Sequence, residues 1–558
     1  MSGIVRDLIV DKVRAAVEEA RGAGVLSLDT LPDIAVERPS NPEHGDFASS
    51  LPLRLARATR ISPIIMAEEL VKLVPPGEEV DRVWAAPPGF INFRLHDGWL
   101  AGQVEAVREA GAAYGDVRLG QGRSVIVEFV SVNPTGPVHV GHTRGAVLGS
   151  TLARVLAAAG FSVTREYYVN DAGSQMDAFY ASILARYKQA LGRDAPLPPG
   201  GYVGDYVAEL AAEILEEQGD RFLSMGEEEA LQELGALGRR KMVSLIRSDL
   251  EHIRVEFDSW FSEDSLYRDG KYDQAMETLE GRGYVSQREG ARWFASSALG
   301  EDKDNVLVRS TGAPTYFASD IAYHYDKLLE RGFGQAIDIW GADHQGHVSR
   351  LKAAMAALDL DPDRLTIMIS QMVTLKRGTE VVRASKRTGE FITLRELVDE
   401  VGADACRYFF LARTPSTQME FDLELAKKES TENPVYYVQY GHARIAGILN
   451  NARAQDIDWT DGDVSLLTHP SEVALVRKML LLPELVENMA RTLEPHHLPH
   501  YALELATAFH WFYENCRVLS SNPEDYPMTL ARLKLAEAAK TVLSKTLYLM
   551  DMTAPEKM

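Results

Sequence analysis

Residues 124–142 read SVIVEFVSV and then NPTGPVHVGH, that is Ser124 to Val132 and Asn133 to His142. The first part is an apolar, β-branched run of strand length, suited to a parallel strand covered on both faces, and Glu128 is its only charge. Pro134, Gly136 and Pro137 end the run. Beyond them Val147, Leu148, Thr151, Leu152, Val155 and Leu156 recur at the helical period until Gly160, and Phe161–Val169 offers a second strand. Strand, helix and strand make a βαβ unit. Its crossover is right-handed and its ligand belongs at the C-terminal end of the strand.

Such a unit commonly takes a phosphate, because the helix N-terminal amides are unsatisfied and the helix dipole favours anions there. Gly141, Gly145 and Gly149 are four apart, so the GxGxxG dinucleotide fingerprint is absent, as is a GxxxxGK[ST] phosphate loop. The loop carries His139-Val140-Gly141-His142 instead. Two imidazoles straddling a glycine can donate to polyphosphate oxygens and stabilise charge that develops there, with Gly141 leaving room for a ribose or base. On those four residues alone, ordinary loop histidines or half of a metal site remain open readings.

Outward from this unit the chain divides. Before it, a helix at about 3–22, a turn-rich stretch from Arg38 to Gly45, a helical pattern from Leu51 to Val74 and a strand at Phe90–Leu95 predict a small mixed domain. The glycine-rich Gly111–Gly122 marks its boundary. After it, 200–250 is helical and acidic, with ten carboxylates and one Arg between Asp205 and Glu233. Strand patterns return at Val306–Arg309 and Ala336–Trp340, and helices dominate from Leu394 onward. The sheet is therefore expected to be split in sequence by an insertion.

A chain of 558 residues has room for about three or four domains. No run approaches the roughly 18 apolar residues that span a bilayer, and the N-terminus has no apolar signal core, so a cytoplasmic location with no membrane contact is expected. Two cysteines, Cys406 and Cys516, exclude a disulfide framework and a paired CxxC zinc site. The net charge of −22, taken whole, argues against a generic nucleic-acid partner. The local counts differ: Met372–Arg395 holds Lys376, Arg377, Arg383, Lys386, Arg387 and Arg395 against two glutamates, so polyanions are expected along a few basic strips.

Four segments occur in order: 129–142 (FVSVNPTGPVHVGH), 341–347 (GADHQGH), 384–387 (ASKR) and 436–440 (YYVQY). The series resembles the class I aminoacyl-tRNA synthetases and, within them, the arginyl-tRNA synthetase family, over essentially the whole chain. The resemblance implies a multidomain α/β and all-α protein. It would have a small α/β N-terminal domain that recognises the tRNA D-loop (1–115) and a split Rossmann-like parallel-sheet catalytic domain (116–375) with an insertion at about 195–300. A signature-loop and stem-contact region (376–425) and a C-terminal helical bundle for the anticodon (426–558) would follow. It also implies activation of L-arginine with ATP and Mg²⁺, transfer to the terminal adenosine 2′-OH, and dependence of activation on tRNA. Mg²⁺ would be held by the ATP phosphates, with no metal site in the protein, and a monomer is expected.

By the same resemblance, Pro137, His139, Gly141, His142 and His344 contact ATP. Lys386 and Ser385, in Arg383–Arg387, match the second signature, where the lysine stabilises departing pyrophosphate. Arg383, Ala384 and Arg387 depart from the family pattern. Glu128 matches the acid that holds the guanidinium, Asn133 the group on the α-amino end, and Tyr316, Asp320 and Gln345 complete the arginine pocket. A lone carboxylate in an apolar strand is costly unless a cation pairs with it, which fits Glu128, and Tyr316 and Asp320, i and i+4, share a helix face. For tRNA, Phe90 and Asn92 match a D-loop pair, while Tyr437, Tyr440, Arg444, Phe509, Tyr513 and Met558 match anticodon-loop contacts made by stacking and hydrogen bonds. Arg239, Arg240 and Lys241 are the expected contact of the insertion with the acceptor end.

Overall fold

The computed structural model describes residues 4–27, 30–382 and 391–558. Its centre is a five-stranded, all-parallel sheet of β1 (Ser124–Glu128), β2 (Ser162–Val169), β3 (Ser259–Ser262), β4 (Gln335–Gly341) and β5 (Leu365–Ser370), in the order β5-β4-β1-β2-β3. The chain winds outward from β1 in one direction and from β4 in the other. The order therefore reverses between β1 and β4, and the crevice beyond their C-terminal ends is where a ligand of such a sheet sits.

The strand expected to reach Val132 stops at Glu128. Val130 and Ser131 take left-handed φ values of 70° and 43°, a conformation a β-branched residue adopts only when its surroundings impose it. The Tyr168 amide donates to Ser131 Oγ at 3.1 Å, and the Tyr167 hydroxyl donates to the Val132 carbonyl at 2.8 Å. The chain is thus lifted off the sheet directly after Glu128. Helix α1 (Val140–Ala158) then returns across the sheet, so close that a Cβ on Gly149 would lie 2.2 Å from the Phe129 ring.

Within the stretch expected as an insertion, helices Asp205–Gln218 and Glu227–His252 pack on Ser174–Ala190, and the chain then rejoins the main sheet as its edge strand β3. An antiparallel sheet of Val285–Arg288, Ala291–Phe294 and Asn305–Val308 precedes helix α2 (Tyr316–Tyr325), which continues into a π-helical turn, Asp326–Glu330. The strand expected at Val306–Arg309 belongs to this small sheet, not to the central one.

The N-terminal part is a helix, Val5–Gly22, with others against a four-stranded antiparallel sheet whose core includes Phe47, Ile91 and Phe93. The C-terminal part is a bundle in which α3 (Pro434–Ala454), α4 (His497–Asn515) and α5 (Tyr526–Leu549) pack on one another. Arg407 is fully buried where the parts meet: it donates to the Met550 carbonyl at 2.5 Å, the Ile253 carbonyl at 2.9 Å and Ser150 Oγ at 2.8 Å. Cys406 and Cys516 are buried free thiols. No helix among the described residues is long and apolar enough to cross a membrane.

Candidate active site and RNA-facing surface

A cavity of about 610 Å³ opens where the strand order reverses. Glu128 at the end of β1 and Trp340 and Gly341 at the end of β4 form its floor, and Tyr316 and Asp320 of α2 line one side. Asn133, Pro137, His139, His142 and His344 line it as well. Among the described residues no Lys or Arg lines it, and those that do present carboxylates, imidazoles, amides and tyrosine hydroxyls.

His139 caps α1, its Nδ1 accepting the Gly141 amide at 3.1 Å, which leaves the ring proton on Nε2. A Cβ at position 141 would meet the His139 ring at 2.9 Å, so glycine at 141 lets that ring fold back onto the helix start. The two rings lie 3.8 Å apart between centroids. Burial lowers both imidazoles, and for His142 burial together with the neighbouring His139 brings it to about 3. Both are neutral at pH 7 and offer N–H dipoles at a helix N-terminus. His142 Nδ1 is buried and, among the described residues, has no hydrogen-bond partner.

Behind the cavity wall is a network the sequence did not reveal. Lys327, on the π-helical turn, is fully buried and donates to Glu128 Oε2 at 2.5 Å and Asp338 Oδ1 at 2.9 Å. Both nitrogens of His324 face acceptors, the Asp320 carbonyl at 2.7 Å and Asp338 Oδ2 at 2.6 Å. Burial opposes the charge on Asp338, but Lys327 and His324 outweigh it and hold the carboxyl at about 2. Burial likewise works against the Lys327 ammonium, and Asp338 and Glu128 together raise it nonetheless. Glu128 is pushed up by burial against the pull of Lys327, and burial raises Asp320 to about 6. The cation expected beside Glu128 is therefore supplied in part by the protein itself.

Gln345 and Gly141 lie outside the cavity wall, where Asp343, His344 and His347 stand on the turn after β4. The sequence reading also missed Gln175 and Tyr206. The Asn133 amide donates to Gln175 Oε1 at 2.5 Å, and Tyr206, in the first turn of Asp205–Gln218, closes the cavity against Gly136. The acidic helix thus contributes a wall of the site. Lys386 and Ser385 lie outside the described residues, as do Arg383, Ala384 and Arg387. The segment after them is tied to the histidine loop: Val140 N donates to the Ile392 carbonyl at 3.0 Å and Leu394 N to the Val138 carbonyl at 2.7 Å. Arg144, fully buried in α1, binds the other flank through the carbonyls of Gln371 and Thr417 at 3.1 and 2.7 Å.

Residues 103–417 match the family model for the class I tRNA synthetase (R) catalytic domain, 7–95 that for the arginyl tRNA synthetase N-terminal domain, and 438–558 that for the DALR anticodon binding domain. The arginine–tRNA ligase of Dehalococcoides mccartyi is 54% identical over 554 residues, covering 99% of each chain. The chain belongs to the arginyl-tRNA synthetase family. That of Heliobacterium modesticaldum is 46% identical over 561 residues, again covering 99% of each chain. The fold is shared with the Thermus thermophilus arginyl-tRNA synthetase, at a TM-score of 0.77 and 23% identity over 99% of this chain and 100% of that one.

On the C-terminal bundle, the residues expected to meet the anticodon loop divide into two groups. Tyr440 stacks on Tyr436 at 6.0 Å, and the Arg444 guanidinium lies 4.7 Å from the Tyr440 ring and 4.8 Å from that of Tyr513. Tyr437 packs on His510 at 4.7 Å, and Met558 is exposed at the end of a tail held by His442, which contacts the Pro555 carbonyl at 2.8 Å. Phe509 is different: it is 1% exposed and packs behind Tyr513, so it supports the platform from the core instead of facing solvent. Helical spacing puts both rings on one side of α4, but only the later one reaches past the bundle.

Other expected RNA contacts are also internal. Asn92 is 2% exposed, with Oδ1 unpartnered among the described residues, while Phe90 is half-buried. The pleat puts Phe90 and Asn92 on one face, and that face is covered at Asn92. In the insertion, Arg239 pairs with Asp171 and Lys241 with Glu213 and Glu217, so of the trio only Arg240 is exposed with no ion pair among the described residues. In the basic strip, Lys376, Arg377 and Arg395 pair with Glu420, Glu400 and Asp249. Summed charge along the sequence overlooked these partners, which arrive from other elements.

Proposed function

We propose that this chain attaches L-arginine to its tRNA in two steps, ATP-dependent formation of arginyl-adenylate and transfer of arginine to the terminal adenosine 2′-OH. The observation that carries the reading is the cavity at the β1/β4 reversal, lined both by the carboxylates of Glu128 and Asp320 and by a neutral histidine pair on a helix N-terminus. A guanidinium is planar and always charged, and it pairs bidentately with carboxylates. Glu128 and Asp320, with no competing Lys or Arg on the cavity wall among the described residues, suit it. Asn133, at the far side and held by Gln175, suits the α-amino end of the same molecule.

The arginine carboxylate is then the nucleophile on the α-phosphate, and no side chain has to form a covalent bond. Catalysis becomes positioning plus electrostatics. The His139 Nε2–H and the unpartnered ring nitrogen of His142 serve the phosphates, joined by the first amides of α1. Mg²⁺ would arrive on the ATP phosphates and supply charge neutralisation there. Lys386 and Ser385, which precede Ile392–Leu394 in the sequence, are assigned to the departing pyrophosphate.

We assign the D-loop to residues 1–115, catalysis to 116–375, the stem contact to 376–425 and the anticodon loop to 426–558, where Tyr437, Tyr440, Arg444, Tyr513 and Met558 meet it. A monomer in the cytoplasm, requiring tRNA before arginine is activated, completes the reading. Pyrophosphate exchange with each of the common amino acids, with and without tRNA, tests it. Exchange with arginine alone, and only when tRNA is present, is expected; exchange driven by another amino acid would overturn the reading.

A further inference from the structure

We propose that Lys327 is a positioning residue for arginine selection, its ammonium holding Glu128 charged and fixed at the floor of the guanidinium site. The inference rests on the reading that the cavity takes arginine. Lys327 is not among the cavity-lining residues, whereas Glu128 is, so Lys327 acts through Glu128 and does not meet the ligand. Three contacts fix it: Glu128 Oε2 at 2.5 Å, Asp338 Oδ1 at 2.9 Å and the Tyr323 ring, whose centroid is 4.0 Å from Nζ. Tyr323 is itself anchored, its hydroxyl donating to the buried Glu166 at 2.6 Å, and Glu166 takes both arms of Arg331 at 2.6 and 2.8 Å. The π-helical turn that carries Lys327 continues α2, so the element presenting Tyr316 and Asp320 to the ligand also delivers this lysine behind Glu128.

The charge count explains why a lysine is needed. Glu128 and Asp338 are neighbours in a water-poor floor, and two carboxylates so placed do not both stay ionised without a cation between them. With Lys327 present, one carboxylate is neutralised by the protein and the other is left charged at the cavity. Without it, His324 contacts Asp338 and not Glu128, so Glu128 is the acid that takes a proton. A protonated Glu128 is a poor acceptor for a guanidinium, and its carboxyl is free to rotate.

Arginine- and tRNA-dependent pyrophosphate exchange on the full chain, comparing the parent with Lys327→Met and Lys327→Arg, tests this. Lys327→Met is expected to raise the arginine KM by about thirtyfold or more, with the ATP KM and the kcat at saturating arginine within about threefold of the parent. Lys327→Arg, which keeps the charge, is expected to bring the arginine KM back to within about fivefold. Equal rises in both KM values, or an arginine KM for Lys327→Met within about threefold of the parent, would overturn the proposal. If Lys327→Met does not fold, Lys327→Gln, which keeps a hydrogen-bond donor beside Glu128 and Asp338 but carries no charge, takes its place, and the same split is expected of it. A parent that shows no arginine-dependent exchange would instead overturn the functional reading, whereas an active parent beside an unaffected Lys327→Met overturns the Lys327 proposal alone.

Discussion

His139 and Thr393 face each other as an isolated antiparallel bridge. The first histidine of the HVGH loop is therefore tied to backbone that lies six residues beyond Arg387 in the sequence. Thr393 also opens the next helix with a capping box, its Oγ1 accepting from Glu396 N at 3.1 Å while Glu396 Oε2 accepts from Thr393 N at 2.9 Å. Loosening this joint should disturb the phosphate end of the cavity and leave the guanidinium end intact.

Thr393→Ala is accordingly expected to lose about 1 kcal/mol of stability, the usual worth of a Thr cap, in urea unfolding. Its exchange rate should fall several-fold with the arginine KM unchanged. A change in arginine KM of similar size would mean that the joint serves the whole cavity.

The pH dependence of arginine binding follows from Asp320, which burial raises to about 6. Above that value the carboxylate is ready for a guanidinium. Below it, binding must first expel a proton, so affinity should fall by up to about tenfold per pH unit, with close to one proton released per arginine bound. Calorimetry in buffers of different ionisation enthalpy reads this release directly. Asp320→Asn should bind weakly at every pH and release no proton from this site.

Arg444 bridges two tyrosine rings, and such contacts are worth about 0.5–2 kcal/mol each according to exposure. Arg444→Ala should raise the tRNA KM by about tenfold while the arginine and ATP KM values stay within about twofold. Phe509→Ala should instead lower the melting temperature, because Phe509 is core and a Phe truncation there costs about 3–5 kcal/mol.

Arg407 donates to carbonyls and a hydroxyl brought from α1, the end of the insertion and the tail of α5. Arg407→Met leaves those buried acceptors unpaired, at a cost of about 3–5 kcal/mol. Thermal unfolding should show an earlier transition that involves the catalytic and helical parts together.

Local pattern carried much of this architecture. The βαβ unit around 124–169, the HVGH loop and the i, i+4 pair Tyr316 and Asp320 are set by residues near in sequence, where periodicity and turn chemistry act directly. The rest depends on elements that meet only in the fold. Lys327 lies 199 residues from Glu128, and nothing in its own helical stretch marks it as the partner of a strand carboxylate. Strand β1 ends early because Tyr167 and Tyr168, on the neighbouring strand, hold Val132 and Ser131. Phe509 and Tyr513 share a spacing and a chemistry, and only the packing of the bundle separates a core ring from an exposed one. The basic strip likewise looked free until Glu420, Glu400 and Asp249 arrived from other elements.

The central claim is that buried carboxylates select a positive guanidinium. Citrulline tests it most directly, since it keeps the shape of arginine and replaces the charged amidinium end with a neutral urea. Competition against arginine in tRNA-dependent pyrophosphate exchange should show citrulline binding at least about a hundredfold more weakly, as expected when charge-assisted pairs are lost and buried acids are left without a partner. Citrulline competing within about fivefold of arginine would contradict the account, because a cavity that does not register that charge is not selecting through Glu128 and Asp320.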